Sequence, residues 1–218
     1  MLTLLDTKNN RMIKKIFIIA NSKIASNFKI NQIKVDDIVI LFNSPERTDI
    51  KPNILFVANT IHPAKKFYRS RYFLDFVIKN KNIKLIFPYS NETIKNIPTL
   101  EKTYKLIDKM RGWESNGALK ILKKSNAIHE FIELDRYQKL CSKLKINPAK
   151  YIPSTGILAI DYVLDNFDLN EYQVNIVGFT FNGSACHNFK NEKEYVDNLI
   201  ERNILISHTA IATDNRLN

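Results

Sequence analysis

Four stretches of the chain are apolar, rich in β-branched residues, and stop abruptly at a polar turn. "KKIFIIANS" (Lys14 to Ser22), "DDIVILFNS" (Asp36 to Ser44) and "NILFVANT" (Asn53 to Thr60) each run into an Asn, and "IKLIFPYS" (Ile83 to Ser90) runs into Pro-Tyr-Ser. Short continuous runs of this kind predict strands buried on both faces, the sort found in parallel sheets covered by helices. "RYFLDFVIKN" (Arg71 to Asn80) has helical spacing, and a more polar helical region is expected from about Asn91 to Lys124, broken near Gly112. "FIELD" (Phe131 to Asp135) follows, then a helix around Arg136 to Leu144 and another beginning near Gly156. The strand "YQVNIVGF" (Tyr172 to Phe179), a helix from about Asn191 to Arg202 and a final "ILIS" complete the order. Strands alternating with helices predict an α/β, Rossmann-like fold: a mostly parallel sheet with helices on both faces. Ligands of such sheets bind beyond the carboxyl ends of the strands, so Asn21, Asn43, Asn59 and the residues after Gly178-Phe179 are expected on one shared rim.

Composition narrows the setting. The chain has 218 residues, 44% hydrophobic and 25% charged, enough for one sizeable core, and a single domain over 1–218 is expected. Lys and Arg outnumber Asp and Glu 33 to 22, and the resulting +11 favours an anionic partner: nucleic acid, a phospholipid surface or a phosphate-bearing substrate. Cys141 and Cys186 form neither a disulfide framework nor a zinc pattern, so free thiols in a reducing interior are expected. The N-terminal apolar run covers only Ile16 to Ala20, and no stretch approaches the ~20 residues that span a bilayer. A cytoplasmic location follows as the expectation, with peripheral contact at the anionic inner face of a membrane as an option. Heavy use of Lys, Ile and Asn fits an AT-rich bacterial genome.

Two segments carry candidate chemistry. In "YIPSTGILAIDYVL" (Tyr151 to Leu164), Pro153 pre-sets a turn, Ser154 or Thr155 can cap a helix, and the unpaired N–H groups at the helix start attract an anion. Capping alone accounts for the residues, and anion binding remains the alternative. In "GFTFNGSACHNFKNEKEYVDNLIERNILI", His187 and Glu192 stand five apart at the start of a helix whose Tyr195, Val196, Leu199 and Ile200 face the core.

The order of these segments resembles the sialyltransferases. That family has a strand running into Gly-Asn-Ser, a short insert and Asp-x-x-Val-x-Arg-x-Asn. It continues with Pro-(Ser/Thr)-(Ser/Thr)-Gly, a helix, a strand ending near Gly-Phe, and His-x-x-x-x-Glu. Here the counterparts are "IFIIANSKIASNFKINQIKVDDIVILFN", "PSTGILAIDYVL", "VNIVGF" and "HNFKNE", in the same order, with Ser44 to Lys150 unmatched. Ala20 stands where the family has Gly, Leu41 where it has Arg, and the cysteines that join the first two motifs in the animal enzymes are absent. The resemblance implies a glycosyltransferase A-like variant of the fold. It also implies transfer of sialic acid, or a related keto-sugar acid, from a CMP-activated donor to a glycan hydroxyl, with inversion and with no metal or other cofactor. On that reading His187 is the general base that accepts the hydroxyl proton. Glu192 orients that region by bonding backbone N–H groups at the start of its own helix. Asn21, Ser22 and Asn43 hold the nucleotide, and Ser154, Thr155 and Gly156 hold the phosphate or the sugar carboxylate. Tyr151 and His208 are further donors to the departing phosphate, and His62 is another possible member of the site.

Each of these residues has a plainer reading. Glu192 is an ordinary acid in a helix first turn, Asn43 a strand-end turn residue, and His62 and His129 solvated loop residues. Neither Asp165 with Asp168 nor Asp36 with Asp37 makes a convincing metal pair, and there is no Asp-x-Asp. A nucleic-acid-binding protein is the rival from another class, motivated by the charge and by "PAKKFYRSRYF" (Pro63 to Phe73). The cations are nevertheless spread along the chain without a nucleic-acid motif, so a nucleic-acid partner is not favoured. A catalytically inactive sialyltransferase-like protein is a third reading, which Leu41 keeps open.

Overall fold

In the computed structural model, which describes residues 13–43, 45, 47–59, 71–80, 82–98, 100 and 127–208, the apolar runs divide their side chains between two cores. Strand β1 (Lys14–Ile19) sends Ile16 and Ile18 to one face and Phe17 and Ile19 to the other. The same alternation holds for β2 (Ile38–Phe42), β3 (Ile54–Phe56) and β4 (Lys84–Phe87), where Ile40, Ile54 and Ile86 oppose Leu41, Leu55 and Leu85. Burial on both faces is why these strands read as unbroken apolar runs. Strands β5 (Ile128–Phe131), β6 (Tyr172–Val177) and β7 (Leu205–His208) complete a seven-stranded sheet of order β5-β4-β3-β2-β1-β6-β7, with every pairing parallel.

Helices cover both faces. Short α1 (Lys23–Ser26), the 3-10 turn Ile30–Gln32 and α2 (Arg71–Lys79) flank one side, where Ala25, Phe28 and Val77 join the core. On the other side lie α3 (Asn91–Asn96), α4 (Leu134–Lys143), α5 (Thr155–Asn166) and α6 (Phe189–Glu201). Helix α5 is the most deeply set, with every residue from Ile157 to Val163 buried, Asp161 included. Asp161 is 2% exposed and accepts from Lys143 Nζ at 2.6 Å, a cross-tie that holds α4 against α5.

The helical region expected from Asn91 to Lys124 is shorter at its start. Helix α3 ends at Asn96, and Ile97 is already extended (φ −104°, ψ 110°) because Pro98 excludes the α conformation from the residue before it. The expected break near Gly112 lies outside the described residues. Strand β5 shares only Phe131 with "FIELD"; as an edge strand with Ile128 and His129 exposed, it lacks an apolar run.

The carboxyl rim is held together by the Asn residues that end the strands. Asn21 Nδ2 donates to the Phe42 carbonyl (2.9 Å), so the end of β1 grips β2. Asn43 Oδ1 accepts from the Ala58 N–H (2.7 Å) and grips the end of β3, its backbone turned to φ +52°. Asn59 bonds both backbone groups of Tyr89, donating to its carbonyl (2.7 Å) and accepting from its N–H (3.2 Å), beyond β4. Each strand end therefore clasps the next one out. Asn59 is wholly buried, so Asn59→Ala strands two buried backbone groups. The expected cost is about 2–4 kcal/mol of stability, read as a lowered urea midpoint at unchanged slope.

Candidate functional site

The chain runs outward from β1 to β5 and then returns to β6 on the other side of β1, so the carboxyl ends of β1 and β6 form a crevice where the strand order reverses. A cleft of about 310 Å³ opens there. Its wall combines Ala20, Asn21 and Ser22 after β1, Phe42 and Asn43 at the end of β2, and Gly178 to Asn182 after β6. The starts of two helices close it: Ser154, Thr155 and Gly156 from α5, and Phe189 and Glu192 from α6.

Close backbone approach builds this cleft, and two glycines permit it. Gly178 has φ +71°, and a Cβ there would lie 2.6 Å from Ser22 Oγ and 2.7 Å from Ala25 Cβ. The gap is filled instead by a hydrogen bond, Ser22 Oγ donating to the Gly178 carbonyl (2.7 Å), while Ser22 also caps α1 through the Ala25 N–H. At Gly156 a Cβ would lie 2.8 Å from Cε1 of Phe179, so the absent side chain lets that ring lie over the start of α5. Phe179 packs edge-on to Phe42 and beside Phe181, giving the cleft an aromatic side.

Ser154 is the N-cap of α5 and accepts from the Ile157 N–H (3.3 Å). Its own two donors both go to Glu192: the backbone N–H to Oε1 (2.7 Å) and the hydroxyl to Oε2 (2.6 Å). The expectation that Glu192 bonds N–H groups at the start of its own helix is corrected: that start is capped by Asn188 on the Asn191 N–H, and Glu192 takes a backbone N–H at the start of α5 instead. The donors at this helix start without a partner among the described residues are the N–H groups of Thr155 and Gly156 and the Thr155 hydroxyl. Glu192 is 1% exposed. Burial pushes its carboxyl up, and the bonds from Ser154 and the nearby His187 offset that only in part, so it titrates above the ordinary carboxylate value.

His187 stands just outside the cleft wall. Its ring meets that of Phe189 edge-on at 5.3 Å, and its Nδ1 lies 2.8 Å from the Ile152 carbonyl. A carbonyl oxygen only accepts, so Nδ1 carries the proton and Nε2 is left as the basic nitrogen. Burial pulls the imidazole pKa down, but the adjacent Cys186 thiol and the Ile152 carbonyl outweigh it and hold the group above its ordinary value. The same imidazole lowers the Cys186 thiol. Cys141 and Cys186 are both free.

The structure brings together Asn21, Ser22, Asn43, Ser154, Thr155, Gly156 and Glu192 in one wall, with His187 one ring away. Tyr151 is not in the wall; Lys150 Nζ lies over its ring at 5.2 Å. His208 donates from Nε2 to Asn175 Oδ1 (2.9 Å) and rests on Phe17 and Phe28, on the far face of the sheet. His129 is exposed on the edge strand, while His62 and most of "PAKKFYRSRYF" lie outside the described residues. Leu41, at the position of the family's Arg, is 1% exposed in the core and offers no polar group to the cleft. Among the described residues no three His, Cys, Asp or Glu converge as metal ligands, and no helix is long and apolar enough to cross a membrane. Sequence reasoning passed over Phe42, Phe189 and Arg47. Arg47 Nη1 donates to the carbonyls of Ala25 and Phe28 (2.9 Å each) and so fixes the segment behind Ser22, with no motif to announce it.

No protein-family model and no curated protein matches the sequence. Among solved structures, the chain is similar to a mammalian sialyltransferase with a TM-score of 0.55 and 16% identity, over 90% of this chain and 69% of that one. It also aligns with a Campylobacter jejuni sialyltransferase solved in complex with a substrate analogue, cytidine-5′-monophosphate, with a TM-score of 0.49 and 13% identity, over 91% and 81% of the two chains. The likeness to the mammalian enzyme is one of fold: a parallel sheet flanked by helices, distantly related in shape to the sialyltransferases.

Ser154 and Thr155 are neighbours with opposite structural weight. Ser154→Ala removes the cap of α5 and one of two bonds to a buried carboxylate, and is expected to cost about 2–3 kcal/mol. Thr155→Ala removes a hydroxyl without a partner among the described residues and is expected to stay within about 0.5 kcal/mol. Chemical denaturation of the two variants measures the difference.

Proposed function

We propose that the chain is an inverting, metal-independent glycosyltransferase of glycosyltransferase A-like type. It moves sialic acid or a related keto-sugar acid from a CMP-activated donor to a glycan hydroxyl, in the synthesis of a bacterial surface polysaccharide or lipooligosaccharide. The observation that carries this reading is the Ser154–Glu192 contact, which joins the Pro-Ser-Thr-Gly turn to the His-x-x-x-x-Glu segment at the switch point of the sheet. The likeness of fold to a mammalian sialyltransferase supports it.

The cleft divides the work. Asn21, Ser22 and Asn43 line the nucleotide end, where Phe179 and Phe181 supply ring faces for the base. The N–H groups of Thr155 and Gly156, at the positive end of α5, receive the phosphate and stabilise the charge it gains as the glycosidic bond breaks. His187 acts from the acceptor side: its Nδ1–H is anchored on Ile152, so Nε2 accepts the hydroxyl proton as the new bond forms. Attack from the face opposite the departing CMP inverts the anomeric centre.

Thermal unfolding in the presence of CMP, CDP, UDP and GDP tests the donor. CMP is expected to raise the melting temperature selectively and to do so in EDTA; a preference for UDP that requires Mn²⁺ would overturn the reading.

His187→Ala is expected to keep the fold and CMP affinity while lowering turnover of CMP-sialic acid with a lactose-type acceptor by roughly 10²- to 10⁴-fold. The base must be neutral to work, and its pKa is raised, so wild-type activity should fall as pH drops through a point above the usual ~6.5 of imidazole. Wild-type turnover by folded His187→Ala would remove His187 from the mechanism.

A further inference from the structure

The electrostatics of the cleft run against those of the chain. The protein carries a formal +11, yet no Lys or Arg is among the described residues of the cleft wall, and its one charged side chain is Glu192. That carboxylate is 1% exposed and makes no ion pair among the described residues. It touches the same helix start that offers Thr155 and Gly156 to an anion, through both of its oxygens. A phosphate brought to that helix start meets the negative charge of a buried carboxylate, and like charges repel more strongly beside a buried group than in bulk water. The Ser154 hydroxyl, aimed at the site, is meanwhile unavailable because its hydrogen is held by Glu192 Oε2.

Both problems have one solution. We infer that the cleft takes its anionic ligand together with one proton, which settles on Glu192 while the Ser154 hydroxyl turns from Glu192 to the ligand. The inference rests on the reading of this cleft as a nucleotide-phosphate site. The exchange balances: Glu192 Oε2 gains a proton from solvent and donates it to Ser154 Oγ, and the hydrogen formerly pointing at Oε2 swings to a ligand oxygen. Ser154 Oγ then accepts from Glu192 and from the Ile157 N–H, using its two lone pairs. The Ser154 N–H bond to Oε1 is kept throughout, so α5 stays anchored. In both states every hydrogen and lone pair that Glu192 and Ser154 exchange has a partner.

The groups facing Glu192 fit this role. Ser154 of α5 is neutral and bonds it directly. His187, from the loop before α6, favours the carboxylate when charged, and the Cys186 thiol lies beyond it. Tyr89, after β4, is held protonated by burial. The carboxyl already titrates above its ordinary value, so the bound anion has only to complete a shift the fold has begun.

The test uses cytidine 5′-methylphosphate, a phosphodiester with no proton to gain or lose near neutrality, titrated by calorimetry into the wild type and Glu192→Gln between pH 5.5 and 8. Gln is the neutral counterpart of the protonated acid and can keep both contacts with Ser154. Glu192→Gln is expected to bind about tenfold or more tightly than the wild type at pH 8, with the ratio closing towards one at pH 5.5. In the wild type alone, the binding heat is expected to vary with buffer ionisation enthalpy in the sense of proton uptake, a readout that needs no variant. Wild-type binding without proton uptake, or a ratio that does not change with pH, overturns this inference and leaves the nucleotide site standing. No binding by either protein overturns the nucleotide-site reading itself, and this inference with it.

Discussion

The contact between Glu192 and Ser154 is the constraint on which the site depends. The starts of two helices are brought nose to nose by a contact between residues 38 apart in sequence, one carboxylate accepting a backbone N–H and a hydroxyl from the same serine. Bonds to a charged acceptor are worth about 1.5–3 kcal/mol each, against a desolvation cost of several kcal/mol for the buried carboxylate. The near-balance means the pair adds little net stability and acts chiefly as a positioning device. It fixes where the free N–H groups of α5 point, and through α6 it fixes where Phe189 and His187 stand.

That clasp works only because the opposite wall is equally fixed. The sheet is parallel throughout, so all its strands deliver their carboxyl ends to the same rim, and Asn21, Asn43 and Asn59 lace those ends together from β1 to β4. Gly178 lets α1 sit directly against the end of β6, and Arg47 holds the far end of α1 by its carbonyls. The cleft is therefore a gap between two tied halves, one made of laced strand ends and one of clasped helix starts. For the proposed transfer, such a gap holds its donors in place before the ligand arrives, as electrostatic stabilisation requires.

The inner strands were legible in the sequence because burial on both faces removes polar residues from them, and the α5 start was legible because Pro, Ser and Gly mark a capped turn. Strand β5 was not, since Ile128 and His129 lie exposed at the edge and carry no such pattern. The asparagines were visible as rim residues, but composition names the groups a side chain offers and not the partner that takes them. Asn43 has its carbonyl committed to Ala58 and its backbone in the left-handed region, so its turn chemistry is structural even though it lines the cleft. Glu192 was visible as a helix-start acid, yet a contact across 38 residues has no local period to betray it. His187 illustrates the same limit: its spacing from Glu192 is in the sequence, whereas the Ile152 carbonyl that fixes its tautomer comes from the turn before α5.

The separation of charge between surface and site has a functional sense. A field from many dispersed cations reaches about a Debye length into solution, some 8–10 Å at ordinary salt, and raises the local concentration of anions without binding any of them in register. On the proposed reading, binding in register falls to neutral donors, the Thr155 and Gly156 N–H groups and the Asn and Ser side chains of the rim, which do not depend on salt to the same degree. Capture and positioning are then, on that reading, the work of different groups. A lysine in the cleft would hold a phosphodiester donor and the free phosphate monoester product alike, and would favour the more highly charged product. With neutral donors in its place, and with Glu192 neutralised by the proton taken up in the proposed exchange, the wall adds no fixed positive charge that would favour the product.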